Sequence, residues 1–233
     1  MGSLTPARGT PALGVLMLET RFPRLPGDIG NPHSFDFPTR YKVVAGASPA
    51  RVVRAGARGL LEPFLQAAHA LVAEGCIGIT TTCGFLVLFQ QPLADALPVP
   101  LMTSSLLQVP RLEALLPRGQ RVGVITIDAQ SLGAAHLAAA GAPPDQPVEG
   151  VRPDGELVRS IMGNATTLDA VLAEKDVVDA ARRLVARCPE VGALVLECTN
   201  MPPYTQAVRR ATGLPVHDAL TATNAFWARL TRG

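Results

Sequence analysis

Two cysteines stand at the points where an aliphatic strand gives way to a turn. Cys83 follows the run CIGITTT, and Cys198 follows the run VGALVLE. The carboxyl ends of parallel strands meet at the sheet edge where ligands bind. Near helix N-termini, backbone N–H groups and the helix dipole lower the pKa of a thiol toward neutrality. We therefore expect Cys83 and Cys198 to lie together as a pair of acid/base groups with lowered pKa values.

Short polar residues accompany both cysteines and are suited to hold a carboxylate together with free backbone N–H groups. They are Thr81, Thr82, Thr199 and Asn200. The alternative for any single cysteine is packing, because free cysteine is among the most buried residue types. We assign Cys76 and Cys188 to packing, since they fall at a strand start and a helix end. The matched positions of Cys83 and Cys198 favour chemistry.

Other kinds of site lack the residues that they need. His33, His69, His136 and His217 are scattered without metal-ligand spacing, although His217 follows GLPV and is a candidate for lining the cleft. The only lysines are Lys42 and Lys175, and neither is placed for a Schiff base. The sequence has no phosphate-binding glycine motif and no nucleophile elbow. These patterns predict a site without a metal or a cofactor.

Composition indicates a globular protein that acts on small molecules. The chain has 233 residues, a net charge of +2 and 48% apolar residues, and it has no basic run that would bind nucleic acid or an anionic membrane. No apolar run is long enough to span a bilayer. Residues Met1 to Pro11 lack a signal-peptide core, and we expect them to form a disordered lead. We accordingly expect a cytoplasmic protein with free thiols and no membrane or nucleic-acid partner.

Short aliphatic runs alternate with longer amphipathic stretches, which predicts βα units and parallel sheets. The predicted strands are Leu13–Glu19, Tyr41–Ala45, Gly75–Thr81, Arg121–Ile127 and Val191–Glu197. The predicted helices are Gly59–Glu74, Phe85–Ala96, Ser105–Leu116, Ala129–Ala140, Leu168–Arg187, Pro203–Thr212 and Ala219–Leu230.

The two halves of the chain contain similar segments in the same order. The strand LGVLMLET opens the first half and VGVITIDA opens the second about 109 residues later, while Cys83 and Cys198 are 115 residues apart. We predict an α/β fold of two pseudo-symmetric lobes, each a mostly parallel sheet flanked by helices, with the active site in the cleft between them. The first lobe comprises residues 12–117 and 216–233 and carries Cys83. The second lobe comprises residues 118–215 and carries Cys198.

Two segments carry a family resemblance over Leu13 to Leu230. GALVLECTNMPPY resembles the second cysteine motif of the aspartate/glutamate/hydantoin racemase superfamily, and GITTTCGFL occupies the place of its first. The resemblance implies that Cys83 and Cys198 flank the acidic carbon of the substrate on opposite faces. One removes a proton as thiolate and the other returns one as thiol, without metal or cofactor. It also implies a homo-oligomer, most simply a dimer.

Three departures from the superfamily pattern leave the substrate open. Gly84-Phe85 replaces an Asn-Thr pair, Glu19-Thr20 replaces an Asp-Ser pair, and Asn200 is neutral where His or Glu is common. The connection over residues 21–40 is also long for a βα loop, which is typical of lids and interface elements. Within it, Arg21 and Arg40 are candidates to bind a second carboxylate.

The leading interpretation is a cofactor-independent amino-acid racemase or epimerase of the aspartate/glutamate type, acting at a carbon next to a carboxylate. Its small-molecule carboxylate substrate would be bound by Glu19, Thr20, Thr81, Thr82, Gly84, Thr199 and Asn200. Alternatives are a hydantoin/allantoin-type racemase and a maleate-type cis–trans isomerase. A further alternative, from another class, is a non-catalytic small-molecule-binding relative.

Overall fold

A computed structural model of the protein describes residues 10–232, and it contains two four-stranded parallel sheets. The first sheet has the order β2-β1-β3-β4 and the second β6-β5-β7-β8. The strands are β1 (Ala12–Leu18), β2 (Thr39–Val44), β3 (Cys76–Thr81), β4 (Leu101–Met102), β5 (Arg121–Thr126), β6 (Val148–Gly150), β7 (Val191–Leu196) and β8 (Val216–His217). Most of the expected lead, Met1–Pro11, lies outside the described residues.

The two sheets repeat one another in detail. The opening strands β1 and β5 each pair with the strand that carries a cysteine at its end, β3 and β7 respectively. Both pairings shift register at the first residue of the opening strand, between Ala12 and Leu13 and between Arg121 and Val122. The predicted α/β fold of two related lobes is confirmed.

Nine α-helices within the described residues cover the sheets. They are α1 (Pro49–Val53), α2 (Leu61–Ala73), α3 (Gln90–Ala96), α4 (Val109–Leu115), α5 (Ala134–Ala140), α6 (Glu156–Met162), α7 (Ala170–Arg187), α8 (Thr205–Thr212) and α9 (Ala219–Leu230). Short 3-10 turns occupy 32–34, 84–89, 105–108 and 202–204. None of the described helices is both long and apolar enough to cross a membrane.

Several predicted elements differ at their ends for local reasons. The helices expected from Phe85 and Ser105 begin as 3-10 turns, and Pro110 at the first turn of α4 marks where the α-helix starts. The helix expected from Ala129 begins at Ala134, because Asp128 Oδ1 accepts the N–H groups of Gln130 and Ser131 in a turn. Strands β4, β6 and β8 are two or three residues long, too short for a periodic signal.

The end of the chain divides between the sheets. Strand β8 pairs with β7, so the second sheet extends to His217. Helix α9 instead packs on the first sheet, where Phe226 contacts Leu13 and Met102 in one apolar cluster. The main apolar core runs through both lobes without a break, which fixes the two cysteine-bearing strand ends relative to each other.

Candidate active site

A small cavity lies between the lobes where β3 and β7 end. Its volume is about 20 Å³, which is room for about one water molecule. The lining residues are Leu18, Phe22, Pro49, Val53, Thr82, Cys83, Gly84, Phe85, Ile127, Ile161, Glu197, Cys198, Thr199 and Asn200. Both cysteines are buried, and the Thr199 hydroxyl donates to the Thr82 carbonyl at 2.6 Å, which ties the two cysteine loops together. The structure thus brings Cys83 and Cys198 to one site.

The two thiols are not acidic in this closed cavity. Burial raises the pKa of Cys83 to about 12 and that of Cys198 well above its usual value, and the nearby Glu197 carboxylate raises both further. Backbone N–H groups of Phe85 and Leu86 at the Cys83 sulfur only partly offset this. The expectation of lowered pKa values is wrong. Cys83 caps a short 3-10 turn rather than an α-helix, so no macrodipole is available to compensate for desolvation.

Glu197 is a buried carboxyl group in the cavity wall. Its side chain is fully buried, and Oε2 accepts the Thr126 hydroxyl at 2.8 Å. Within the described part of the chain, Oε1 has no hydrogen-bond partner. Desolvation raises the pKa of Glu197 to about 8, and the Thr126 hydrogen bond opposes that shift. Glu197 is therefore mostly protonated at neutral pH.

Gly84, the residue after Cys83, has no room for a side chain because Glu197 lies against it. A Cβ atom at Gly84 would lie 2.5 Å from the Glu197 carbonyl oxygen and would also meet Oε1. Real Cβ atoms essentially never approach backbone that closely. The space that a side chain at position 84 would need is filled here by Glu197, so Gly84 and Glu197 depend on each other.

A polar network behind Cys198 fixes the orientation of Asn200. Asn200 Nδ2 donates to Asp28 Oδ2 at 2.5 Å, and Arg24 forms a 3.0 Å ion pair with Asp28 Oδ1. Asp28 and Arg24 belong to the long loop 21–40, whose Phe22 lines the cavity. With its nitrogen committed to Asp28, Asn200 turns its oxygen toward Cys198, and Cys198 Sγ donates to it at 3.5 Å.

Several predicted site residues lie outside the cavity. Glu19 is exposed and accepts the Gly46 N–H, whereas Thr20 accepts from Arg24. Thr81 is buried behind Cys83, where its hydroxyl donates to the Thr103 carbonyl. Arg21 and Arg40 are exposed, and His217 lines a different groove between α4 and α9. Thr82, Gly84, Thr199 and Asn200 do line the cavity, and their roles toward a substrate stay predictions.

Sequence reasoning missed Glu197 and the apolar wall. The signal for Glu197 was present, since a charged residue closing an aliphatic strand directly before a cysteine is costly unless it is used. The apolar wall comprises Phe22, Val53, Ile127 and Ile161, which come from four separate segments. No spacing in the sequence links those segments.

Comparison with solved structures assigns the fold. Arylmalonate decarboxylase superposes with a TM-score of 0.63 at 17% identity, covering 94% of this chain and 92% of that one. Glutamate racemase from Francisella tularensis gives 0.59 at 17% identity, covering 96% and 82%. Allantoin racemase from Pseudomonas fluorescens gives 0.56 at 16% identity, covering 94% and 91%. The class of protein is therefore that of the aspartate/glutamate/hydantoin racemase fold, and the resemblance drawn from the cysteine motifs is confirmed at that level.

Curated relatives place the chain more narrowly. A dimethylsulfoniopropionate lyase of Durusdinium sp. clade D is 30% identical over 92% of this chain and 73% of its own length. Dimethylsulfoniopropionate lyase 7 of Emiliania huxleyi is 31% identical over 94% of this chain and 67% of its own length. The chain belongs to the dimethylsulfoniopropionate lyase family. No family model matches the sequence.

These relatives overturn the functional expectation. An amino-acid racemase or epimerase is wrong for this chain, because the curated relatives that match nearly its whole length are lyases. The resemblance to racemases misled because this chain shares their fold, and a shared fold does not fix the reaction. The chain is an enzyme of the racemase fold, and its reaction class must be argued from the cavity and from these relatives.

Proposed function

We propose that this protein is a lyase that cleaves dimethylsulfoniopropionate by β-elimination. The observation that carries the proposal is the 30–31% identity to lyases of this name over more than nine-tenths of the chain. The apolar cavity supports it independently. Two thiols and one carboxyl group are the ionisable side chains among its lining residues, which suits removal of a carbon-bound proton.

The elimination requires one base. The base takes a proton from the carbon next to the substrate carboxylate, the electron pair forms the C=C bond, and the bond from the β-carbon to sulfur breaks. The products are acrylate, neutral dimethyl sulfide and one proton held by the base. Dimethyl sulfide leaves without protonation, so no general acid is needed, in contrast to a racemase, which must also return a proton from the opposite face.

Cys83 is the thiol placed to be that base. Its sulfur faces the backbone N–H groups of Phe85 and Leu86, which stabilise a thiolate. Cys198 faces the single backbone N–H of Asn200, and it also donates its S–H to Asn200 Oδ1, an amide that Asp28 holds in place. An oxygen facing the sulfur favours the protonated thiol. Cys198 therefore stays a neutral thiol while Cys83 ionises.

One hydroxyl beside Cys83 is free to donate a hydrogen bond to the substrate carboxylate. Thr82 lines the cavity, and its Oγ1 accepts the Leu18 N–H, which keeps its own O–H free to donate. Thr199 donates to the Thr82 carbonyl, so its hydroxyl is committed to holding the two loops together. Thr82 is thus the hydroxyl that binds the carboxylate, and Thr199 shapes the site.

Product analysis tests the proposal. The purified protein is incubated with dimethylsulfoniopropionate, dimethyl sulfide is measured in the headspace, and acrylate is measured by proton NMR. We expect the two products in equal amounts. Cys83→Ser should lose at least about a thousandfold in kcat/KM, because a serine hydroxyl is a much weaker acid than a thiol. Cys198→Ser should retain more activity than Cys83→Ser.

Cys188→Ser is the matched control, because Cys188 lies at the end of α7 away from the cavity. It should behave as the unaltered protein. A folded protein that releases no dimethyl sulfide would refute the proposal. Equal losses in the Cys83 and Cys198 variants would refute the assignment of the base but not the lyase.

A further inference from the structure

The uncommitted oxygen of Glu197 is the feature that the elimination leaves unexplained. Glu197 is one of the residues that line the cavity, its side chain is fully buried, and only one of its carboxyl oxygens is hydrogen-bonded, to Thr126. Among the described residues nothing donates to Oε1. Buried polar atoms in proteins are nearly always satisfied, and an unsatisfied one at a site points to a partner that arrives with a ligand.

The remainder of the wall determines what that partner can be. Most of the lining side chains are apolar, and of the described lining residues none is basic. Arg24, the nearby guanidinium, is engaged with Asp28 and stacks over the Phe22 ring at 4.3 Å. A cation that enters this cavity gives up its hydration, and the Glu197 carboxyl group is the wall's main means of replacing it.

We propose that Glu197 is the specificity-determining residue that selects a cationic head group, with its free oxygen paired to the sulfonium or quaternary ammonium of a short zwitterionic carboxylate. The proposal rests on the proposed function, which supplies the sulfonium. The rings of Phe22 and Phe85 complete the surroundings of the cation, since aromatic rings attract such groups. The ligand carboxylate then binds Thr82, so the two ends of the zwitterion meet different side chains of the lining.

The charge state of the empty site agrees with this role. Burial keeps the Glu197 carboxyl group protonated near neutral pH, and a cation beside it favours the ionised form. The groups that face Glu197 are the Thr126 hydroxyl and the two cysteine thiols, all neutral in the empty cavity. A ligand with a cationic head group should therefore displace a proton from Glu197 as it binds. A ligand with an uncharged head group should not.

Two ligands of the same shape, one with a charged head group and one with an uncharged head group, separate the contribution of charge to binding from that of shape. β-Alanine betaine carries a trimethylammonium head on a propanoate chain, and its carbon isostere carries a tert-butyl head on the same chain. The isostere has no leaving group, and the trimethylamine of the betaine leaves far less readily than dimethyl sulfide, so calorimetry can measure their binding while proton NMR verifies that the betaine stays intact. We expect the protein to bind the betaine at least about tenfold more tightly than the isostere, with proton release below pH 8. In Glu197→Gln the preference should vanish or reverse.

The ratio of the two affinities is the readout, because a merely structural loss weakens both ligands equally. Thr126→Val keeps the carboxyl group and removes its hydrogen-bond donor, so this variant should retain the preference. A protein without preference for the betaine overturns the proposal, whether or not Glu197→Gln folds, and so does a Glu197→Gln variant that keeps the preference. Release of dimethyl sulfide is measured separately, so a failure of the lyase and a failure of the cation site are distinguishable.

Discussion

At the scale of single residues, Glu197 controls the charge of the whole cavity. Its own pKa is raised to about 8, and its negative charge raises the pKa of both cysteine thiols. The empty site is therefore neutral at pH 7. A bound sulfonium reverses this, because a cation in a low-dielectric cavity stabilises carboxylate and thiolate together. The substrate would thus generate the base that consumes it.

Stability should depend on pH through Glu197. The carboxyl group of a glutamate has an ordinary pKa of 4.5, so between about pH 4.5 and 8 the unfolded chain is ionised while the native cavity still holds its proton. The unfolded state then binds fewer protons, and stability falls as pH rises through this window. The loss amounts to roughly 5 kcal/mol by pH 8.5.

We expect Glu197→Gln to remove the decrease in unfolding free energy between pH 5.5 and pH 8.5. Urea unfolding of the protein and the variant at pH 5.5 and pH 8.5 measures the effect, with the variant gaining relative stability at the higher pH. A constant difference between the two proteins across this range would contradict the buried, protonated carboxyl group.

With Cys83 as the proposed base, the rate should rise with pH, because its thiol is a weak acid in the free enzyme. Burial raises the pKa of Cys83 to about 12, so kcat/KM should increase up to tenfold per pH unit from neutral into the alkaline range. Removing the Glu197 charge lowers the pKa of Cys83, and the alkaline limb of the Glu197→Gln profile should shift to lower pH. Initial rates from pH 6 to pH 10 test both statements. An alkaline limb at the same pH in both proteins would be inconsistent with the electrostatic coupling.

At the scale of elements, the connection over residues 21–40 forms part of the wall of the site. Phe22 lines the cavity, and Ile29 and Phe35 are buried. The Ile29 N–H donates to the Thr199 carbonyl at 3.3 Å, which links the loop to the second lobe. The loop therefore connects the lobes through the residues that follow Cys198.

The contribution of the Arg24–Asp28 ion pair to stability can be tested by removing first one charge and then both. Asp28→Asn leaves Arg24 without its counter-charge and should cost about 3 kcal/mol of unfolding free energy. Adding Arg24→Met should recover most of that loss. Activity should stay low in both proteins, because Asn200 has lost the carboxylate that orients it.

Denaturant unfolding and initial rates, measured on the single and double variants, separate the two effects. Recovery of activity in parallel with stability would show that Asp28 acts only through Arg24. Continued low activity in the stable double variant would support its role in orienting Asn200.

At the scale of the whole molecule, the lobes leave a cavity between them that is too small for the proposed substrate. A cavity of about 20 Å³ has room for about one water molecule, and dimethylsulfoniopropionate has eight heavy atoms. The exposed Arg54–Asp128 pair at 3.7 Å joins the lobes at the rim but contributes less than about 1 kcal/mol. The apolar wall and the loop contacts, rather than this ion pair, hold the site shut.

Opening should be visible by hydrogen exchange. If substrate enters through movement of the loop, the amides over residues 21–29 should exchange faster than those of the helix α7 interior in the free protein. β-Alanine betaine should slow exchange in the loop and leave α7 unchanged. Mass spectrometry of labelled peptides provides the measurement. Loop amides as slow as those of α7, with no response to ligand, would place the entrance elsewhere.

The sequence by itself determined the architecture and placed the two cysteine-bearing strand ends at one edge of the fold. Aliphatic runs alternating with amphipathic stretches define parallel βα units, and the end of a parallel strand is where a side chain reaches a ligand. Cys83 and Cys198 could therefore be placed from their positions at matching strand ends. These are local properties, which the chain encodes within ten or twenty residues.

Only the tertiary structure decided what surrounds those thiols. The roles of Glu197, Gly84 and Asn200 become clear only when the second lobe faces the first. Each of these residues contacts a residue more than 100 positions away in the sequence. The pKa values of the thiols also reversed from the expected direction, since enclosure by both lobes removes the water that would have stabilised a thiolate. Desolvation is a property of the assembled cavity, and no local pattern in the sequence records it.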